Sequence, residues 1–349
     1  MLKFLSKLRH ILKPEVVLPV LLAAALLVFA FNLGDLGKVM ARLRNLPLHV
    51  IGISIGAAAV YLGCKAVQLR LMLKRIDVCI PPRSFWLAFA VGELTVTLPL
   101  GLFSQNWVMS ASRRVNVGRS AGATVMMLLI EIAVVFLFLA VMGVRNWNEV
   151  RWIAVALMVL LVAFVAGAVV FEDKARELAG RVRREWLKKI AKGGVELLDG
   201  LRKLCTPHTI GVSLVLAAIY LGALTIAFWQ IGRGMHVQHL DYWSAATIYA
   251  FSLAVILIGA GLISQIGTVD LLGMVIAQAY GIGYTDGLAM MLGFRIVWTG
   301  SIWILALPIV GATWREMPSH GKDGSDKDGT GKDGSGKNRS RDRGKKTSD

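Results

Sequence analysis

The chain is predicted to be an all-α polytopic membrane protein, with about six full spans and two broken or re-entrant helix pairs arranged as an inverted repeat. Three observations predict this. The sequence is 56% hydrophobic, with a mean hydropathy of +0.62 over 349 residues, yet it carries a formal charge of +17. Apolar spans joined by basic segments at an anionic membrane surface reconcile those facts. The Lys and Arg residues punctuate apolar runs instead of lining one folded face, which argues against a nucleic-acid partner. A glycine-rich break with polar side chains also occurs twice in apolar surroundings, as Gly101-Leu-Phe-Ser-Gln105 and Gly261-Leu-Ile-Ser-Gln265. Downstream, Met126-Met127-Leu128 precedes Glu131 at the spacing by which Met290-Met291-Leu292 precedes Arg295, so a duplicated unit accounts for both stretches.

The first span is the run Val16 to Leu33, which follows Lys3, Lys7, Arg9 and Lys13 and has no small-residue cleavage site after it. Residues 34 to 47 place Leu36, Val39, Met40 and Leu43 at helical spacing between basic residues, the pattern of a helix lying in the interface. Leu48 to about Leu69 returns across the membrane, and Lys65, Arg70, Lys74, Arg75 and Arg83 mark a cytosolic side. Residues 84 to 110 are too short for two spans and too interrupted for one, so two half-helices fit them. Ser120 to Gly143 and Trp152 to Phe171 are spans; residues 172 to 208 form a charged connector at the headgroups; Thr209 to Ile231 crosses again. The second broken region lies in 243 to 283, and Asp286 to Gly311 is the last span. The two repeat-like regions therefore fall near 84 to 131 and 243 to 295, inside a membrane domain of residues 1 to 311.

The basic segments 1 to 15, 65 to 83, 113 to 119, 172 to 208 and 312 to 349 all fall on one side if both breaks are re-entrant. By the positive-inside rule that side is cytosolic, which places the protein in the plasma (inner) membrane with both termini inside. The first break then opens from the cytosol and the second from the exterior. The tail from 312 to 349 repeats Gly, Lys, Asp and Ser and is expected to be disordered. Its Gly331-Lys-Asp-Gly-Ser-Gly-Lys-Asn338 resembles a phosphate loop but lacks the final Ser or Thr and any flanking strand. Cys64, Cys79 and Cys205 have no metal spacing, and His236 and His239 stand without other ligands nearby, so neither metal nor cofactor is expected. No zincin motif or nucleophile elbow supports an enzyme, although an intramembrane transferase using Glu131 or Asp270 as a base stays open.

Ionisable groups within apolar runs carry the functional signal, because each costs roughly 2.5 to 3.5 kcal/mol at a helix centre unless it faces a partner or a wet cavity. Glu131 and Arg295 occupy matching places in the two copies and are candidates for an ion pair, structural or functional. Glu93 and Asp270 lie beside the breaks, where they serve a ligand or, for Asp270, cap a helix start. Gln105 and Gln265 are read first as groups satisfying broken backbone and second as ligand contacts. Arg70, Arg113 and Arg114 anchor the cytosolic face or meet lipid phosphate. Trp86, Trp107, Trp152, Trp243 and Trp298 read mostly as interface belt residues.

Several stretches resemble the lysylphosphatidylglycerol synthase transmembrane family of flippase-like integral membrane proteins. Asn32-Leu-Gly-Asp-Leu-Gly-Lys-Val-Met-Ala-Arg-Leu-Arg44 is similar to its amphipathic opening, and Gln68-Leu-Arg-Leu-Met-Leu73 to its arginine-bearing span end. Thr97-Leu-Pro-Leu-Gly101 followed by Arg113, Gly267-Thr-Val-Asp270 and Leu292-Gly-Phe-Arg295 are similar to its two breaks and its final arginine helix. Gln105 stands near where the family often has a glutamate, and Asp270 replaces its usual glutamate. The resemblance implies a protein that binds a polar lipid, or a lipid-linked molecule, and moves it between leaflets. Members that transfer aminoacyl groups carry a large soluble domain after the spans, where this sequence has a tail. Phospholipids or other polar lipids are then the expected partners. The alternative is a non-catalytic scaffold holding a lipid-modifying or glycosyl-transferring membrane enzyme.

Overall fold

The computed structural model describes residues 36–96, 101–113, 115–146, 148–170, 177, 185–258 and 265–313. The expected first span, residues 97–100 just before the first glycine-rich break, residues 259–264 of the second and the tail after 313 lie outside these residues. Among the described residues the structure is helical and contains no strand, as the sequence predicts. Helix α1 (Leu36–Arg44) is short and amphipathic. The long helices are α2 (Leu48–Arg75), α5 (Val117–Asn146), α6 (Asn148–Val170), α8 (Pro207–Gly234) and α11 (Tyr284–Thr313). They coincide with the five expected spans in this region, and α2, α5, α8 and α11 are each long and apolar enough to cross a bilayer.

Between the long helices sit two pairs of short ones. Helix α3 (Pro82–Thr95) starts with a proline at its first position, where the missing N–H costs nothing. Its 14 residues rise about 21 Å, short of the ~30 Å hydrocarbon core. A single 3-10 turn (Gly101–Phe103) and α4 (Ser104–Arg113) then lead the chain back alongside α3. The Thr95 hydroxyl lies 2.6 Å from that of Ser104, pinning the tip of the pair. Gly101 is required there, because a Cβ would run into the Thr95 carbonyl oxygen. The second pair is α9 (Tyr242–Ile258) and α10 (Gln265–Ala279). Asp241 caps α9 by accepting the Ser244 N–H at 2.8 Å. After α10 the chain turns through Gly281, at φ 74°, into α11, whose Gly287 rests on Met274 and Ala277.

Contacts between helix ends sort these elements onto two faces. Gly234 at the end of α8 abuts Leu46, Pro47 and Val50 at the start of α2. Arg42 of α1 pairs with Asp286 at the start of α11. Those ends, with the turn from α10, share one face. The start of α5 meets α7 (Glu185–Leu204) on the other, with Gly118 against Gly193 and Gly122 against Leu197 and Gly200. Hence α3 and α4 enter from the face of α7, whereas α9 and α10 enter from the face of α1. These are the opposed re-entrant pairs that the charge pattern predicts.

The duplication extends further upstream than the glycine breaks. Helices α2 and α8 each have 28 residues, and α5 and α11 each have 30. Ala59-Val60-Tyr61-Leu62-Gly63 in α2 matches Ala218-Ile219-Tyr220-Leu221-Gly222 in α8. Both helices end with a non-glycine residue in left-handed conformation, Asp77 at φ 58° and His236 at φ 57°. The following amide bonds back to the Leu73 carbonyl at 2.9 Å in one and the Gly232 carbonyl at 3.1 Å in the other. The copies interlock: α11 packs on α3, α5 packs on α9, and α2 lies along α8. Ala57, Ala58 and Ala66 of α2 and Ala217 and Ala227 of α8 are buried, and small side chains allow that close approach. Val60, Val67, Val215 and Ile219 point outward from the same helices, as residues facing lipid do.

Candidate functional site

The interior of this bundle is not uniformly apolar. Lys65 of α2, in a segment read from sequence as marking a cytosolic side, is only 3% exposed and faces inward. That is a correction: the helix continues to Arg75, so Lys65 sits well inside it, while Arg70, Lys74 and Arg75 remain on the exposed side. The Lys65 ammonium donates to the Tyr61 hydroxyl at 2.8 Å, one helical turn earlier. It also lies 3.3 Å from Glu93 of α3 and 3.3 Å from Glu131 of α5. Tyr220 of α8 donates its hydroxyl to the same Glu131 oxygen at 2.7 Å. The rings of Tyr61 and Tyr220 meet edge to face at 5.4 Å, and Tyr61 makes a second such contact with Trp298 of α11. Trp298 therefore belongs to the packed interior, where it also stacks on Phe294, and not to an interface belt.

A narrow cleft, with room for about one water molecule, opens beside this cluster, lined by Lys65, Glu93, Gln105, Thr124 and Glu131 among others. Gln105 reaches it from α4 by passing over Gly92, where a Cβ would crowd its side chain. Its amide donates to the Thr124 hydroxyl at 3.0 Å. Asn106 bonds the same hydroxyl, so the return half-helix is tied to α5 through side chains. The first reading of Gln105, as a satisfier of broken backbone, is thereby replaced.

The second ionic group belongs to the second copy. The Arg295 Nε of α11 lies 3.0 and 2.8 Å from the two carboxylate oxygens of Asp270 on α10. Asp270 is buried and is the sixth residue of its helix, past the first turn, so it does not cap the helix start. The candidate pair Glu131–Arg295 is not formed. Glu131 is held instead by Lys65 of its own copy and Tyr220 of the other, and Arg295 by Asp270 of its own copy, because the half-helix pairs bring Asp270 to Arg295 and Glu93 toward Glu131 and Lys65. Tyr249 of α9 is within electrostatic reach of both groups, of Arg295 and Asp270 in one and of Glu131 and Lys65 in the other. Its ring packs against Phe228 and Phe294.

Of the residues singled out in the sequence, the structure brings together Glu93, Gln105 and Glu131 in one cleft and Asp270 with Arg295 nearby. Arg70 is exposed at the end of α2. The side chains of Arg113 and Gln265, and all of Arg114, lie outside the described residues. Lys65, Tyr61 and Tyr220 were missed. Their signal was present as Tyr61 and Lys65 at i, i+4 on the face that also carries Ala58, Leu62 and Leu69, a face no helix leaves in water. Among the described residues no cluster of His, Cys, Asp or Glu has a metal-holding arrangement.

The fold and the site together define an integral membrane protein with ionisable groups buried beside two opposed half-helix pairs. The chain belongs to the family described as the lysylphosphatidylglycerol synthase TM region, which matches residues 16–307. It is thus a membrane protein linked to lipid handling, in agreement with the resemblance drawn from its breaks and its arginine helix. No curated protein matches the chain.

Proposed function

We propose that the protein binds a polar lipid, or a lipid-linked molecule, and translocates it between leaflets. The observation that carries this reading is the charged cleft beside the first half-helix pair, walled by a helix whose neighbouring face is apolar. On α5, Thr124 and Glu131 line the cleft, whereas Met126, Leu129, Ala133 and Leu137 line an apolar groove shared with α6 and α8. One helix thus offers both environments that an amphiphile needs, a polar one for its headgroup and an apolar one for its tails. Opposed re-entrant pairs in inverted copies support alternating access, since rocking one copy against the other opens the interior first to one face and then to the other. With the basic ends on the cytosolic side of the plasma membrane, the cleft beside α3 and α4 is the inward-facing one.

The test is leaflet-resolved movement of anionic, zwitterionic and cationic lipids in vesicles holding the purified chain, with Glu131→Gln and Arg295→Ala beside it. Movement above empty vesicles, lost in variants that still fold, is the expected result and ranks the headgroups. No movement with any headgroup sinks the reading and turns attention to a scaffold for a membrane enzyme. A new covalent lipid product from the purified protein points instead to an intramembrane transferase.

A further inference from the structure

We propose that the cleft between Lys65, Glu93 and Glu131 holds one exchangeable proton, shared by the two carboxylates, and that the protein takes up and returns this proton as it works. The proposal rests on the cleft being the working site, but it concerns a proton and not a lipid.

Charge balance is the first ground. Asp270 and Arg295 offset each other through both carboxylate oxygens. In the group around Lys65, one ammonium stands against two carboxylates. That leaves one negative charge uncompensated among groups that are nearly all buried, and an uncompensated charge in such surroundings is neutralised by a proton when nothing else pairs with it. Hydrogen bonding is the second ground. Lys65 donates a hydrogen bond to Tyr61 and stands as an ion-pair partner 3.3 Å from Glu93 and 3.3 Å from Glu131. Both contacts to carboxylate use the Oε1 atoms, and Tyr220 adds its hydroxyl to that of Glu131. Among the described residues, the second oxygens of Glu93 and Glu131 and the amide oxygen of Gln105 have no hydrogen-bond partner. Gln105 and Glu93 are 5% and 7% exposed, and both line the cleft.

A proton suits these oxygens better than a metal ion. A metal needs several oxygens around it and would sit against the Lys65 ammonium, whereas a proton needs one oxygen and lies on the side away from Nζ. Uptake converts one carboxylate to a carboxylic acid and release reverses it, with no other bond changed. Among the described residues, the titratable or charged groups around the site are Lys65 and Tyr61 on α2, Glu93 on α3, Glu131 on α5, Tyr220 on α8, Tyr249 on α9, Asp270 on α10 and Arg295 on α11.

The full chain in an ester-free detergent, titrated with acid and followed by infrared difference spectroscopy in H2O and D2O, tests this directly. One protonated-carboxyl band that rises with acid and shifts in D2O is expected, lost in Glu93→Gln or in Glu131→Gln. Glu93→Asp and Glu131→Asp, which keep the acid, should move its midpoint without abolishing it, and they cover the case in which a glutamine variant does not fold. Absence of a titrating band overturns the proposal, as does a band that survives both glutamine variants. A band abolished by sodium chloride but not by choline chloride at constant pH assigns the site to a metal cation and also overturns it. No lipid enters the measurement, so a protein that moves lipid without this band refutes the proton alone, and a protein with the band that moves no lipid refutes the translocation reading alone.

Discussion

Lys65 shows how a single side chain changes meaning with depth. Near the end of an apolar run it reads as a surface anchor, but α2 extends six residues beyond Leu69 and carries it inside. Removing one partner of a buried ion group leaves the others uncompensated, at a cost of about 3–5 kcal/mol. Lys65→Met is therefore expected to lower the melting temperature in detergent markedly, and adding Glu93→Gln and Glu131→Gln to it should recover most of the loss. A second contrast concerns Arg295. Exchanging it with Asp270, as Arg295→Asp with Asp270→Arg, should preserve folding better than either single change. The corresponding exchange of Arg295 with Glu131 should not, because those two residues do not meet; rescue by that exchange and not the first would contradict the geometry. The identities of the buried acids and of Arg295 were legible in the sequence, since charge in an apolar run is conspicuous. Their pairing was not, because repeat spacing relates Glu131 to Arg295 by position in the copies, whereas contact depends on which half-helix each faces.

Among the elements, the re-entrant pairs were legible and the packing of the connector was not. Pro99, Gly101 and the polar run after them interrupt an apolar stretch too short for two spans, and length alone then leaves a half-helix pair. For residues 172 to 208 the sequence gives charge and helical periodicity, which suit a helix resting at headgroups. The structure sets α7 on the start of α5 through facing glycines, an arrangement that depends on absent side chains and leaves little trace in hydropathy. Gly122→Leu should separate the two helices, since its side chain would meet the backbone at Leu197 and Gly200. Overpacking of this kind costs about 1–3 kcal/mol. Faster proteolysis within 185–204, with the membrane spans still inserted, is the expected readout, and unchanged proteolysis would show that the contact is dispensable.

For the whole molecule, the two-fold plan was visible in the glycine breaks but weaker than it is in three dimensions, where Tyr61 and Tyr220, and Asp77 and His236, also correspond. Those matches are short and lie in sequence where apolar residues coincide readily, so only the shared helix lengths and end geometries make them persuasive. Orientation has a natural probe in Cys79, exposed in the loop between α2 and α3. A membrane-impermeant maleimide should label it from the cytosolic side and not from outside; the reverse pattern would invert the assigned topology. Cys205 should react more slowly at neutral pH even in permeabilised membranes, because burial pushes its thiol up and leaves less thiolate. Helix α6 has a further significance. Each copy, from α2 to α5 or from α8 to α11, contains two full crossings and a re-entrant pair, so it returns to the face on which it began. The additional crossing by α6 is what sets the second copy upside down. A gene encoding one copy without that helix would have had to insert its product both ways up to build the same interior, and the fused chain fixes in one polypeptide what such an ancestor would have left to chance insertion.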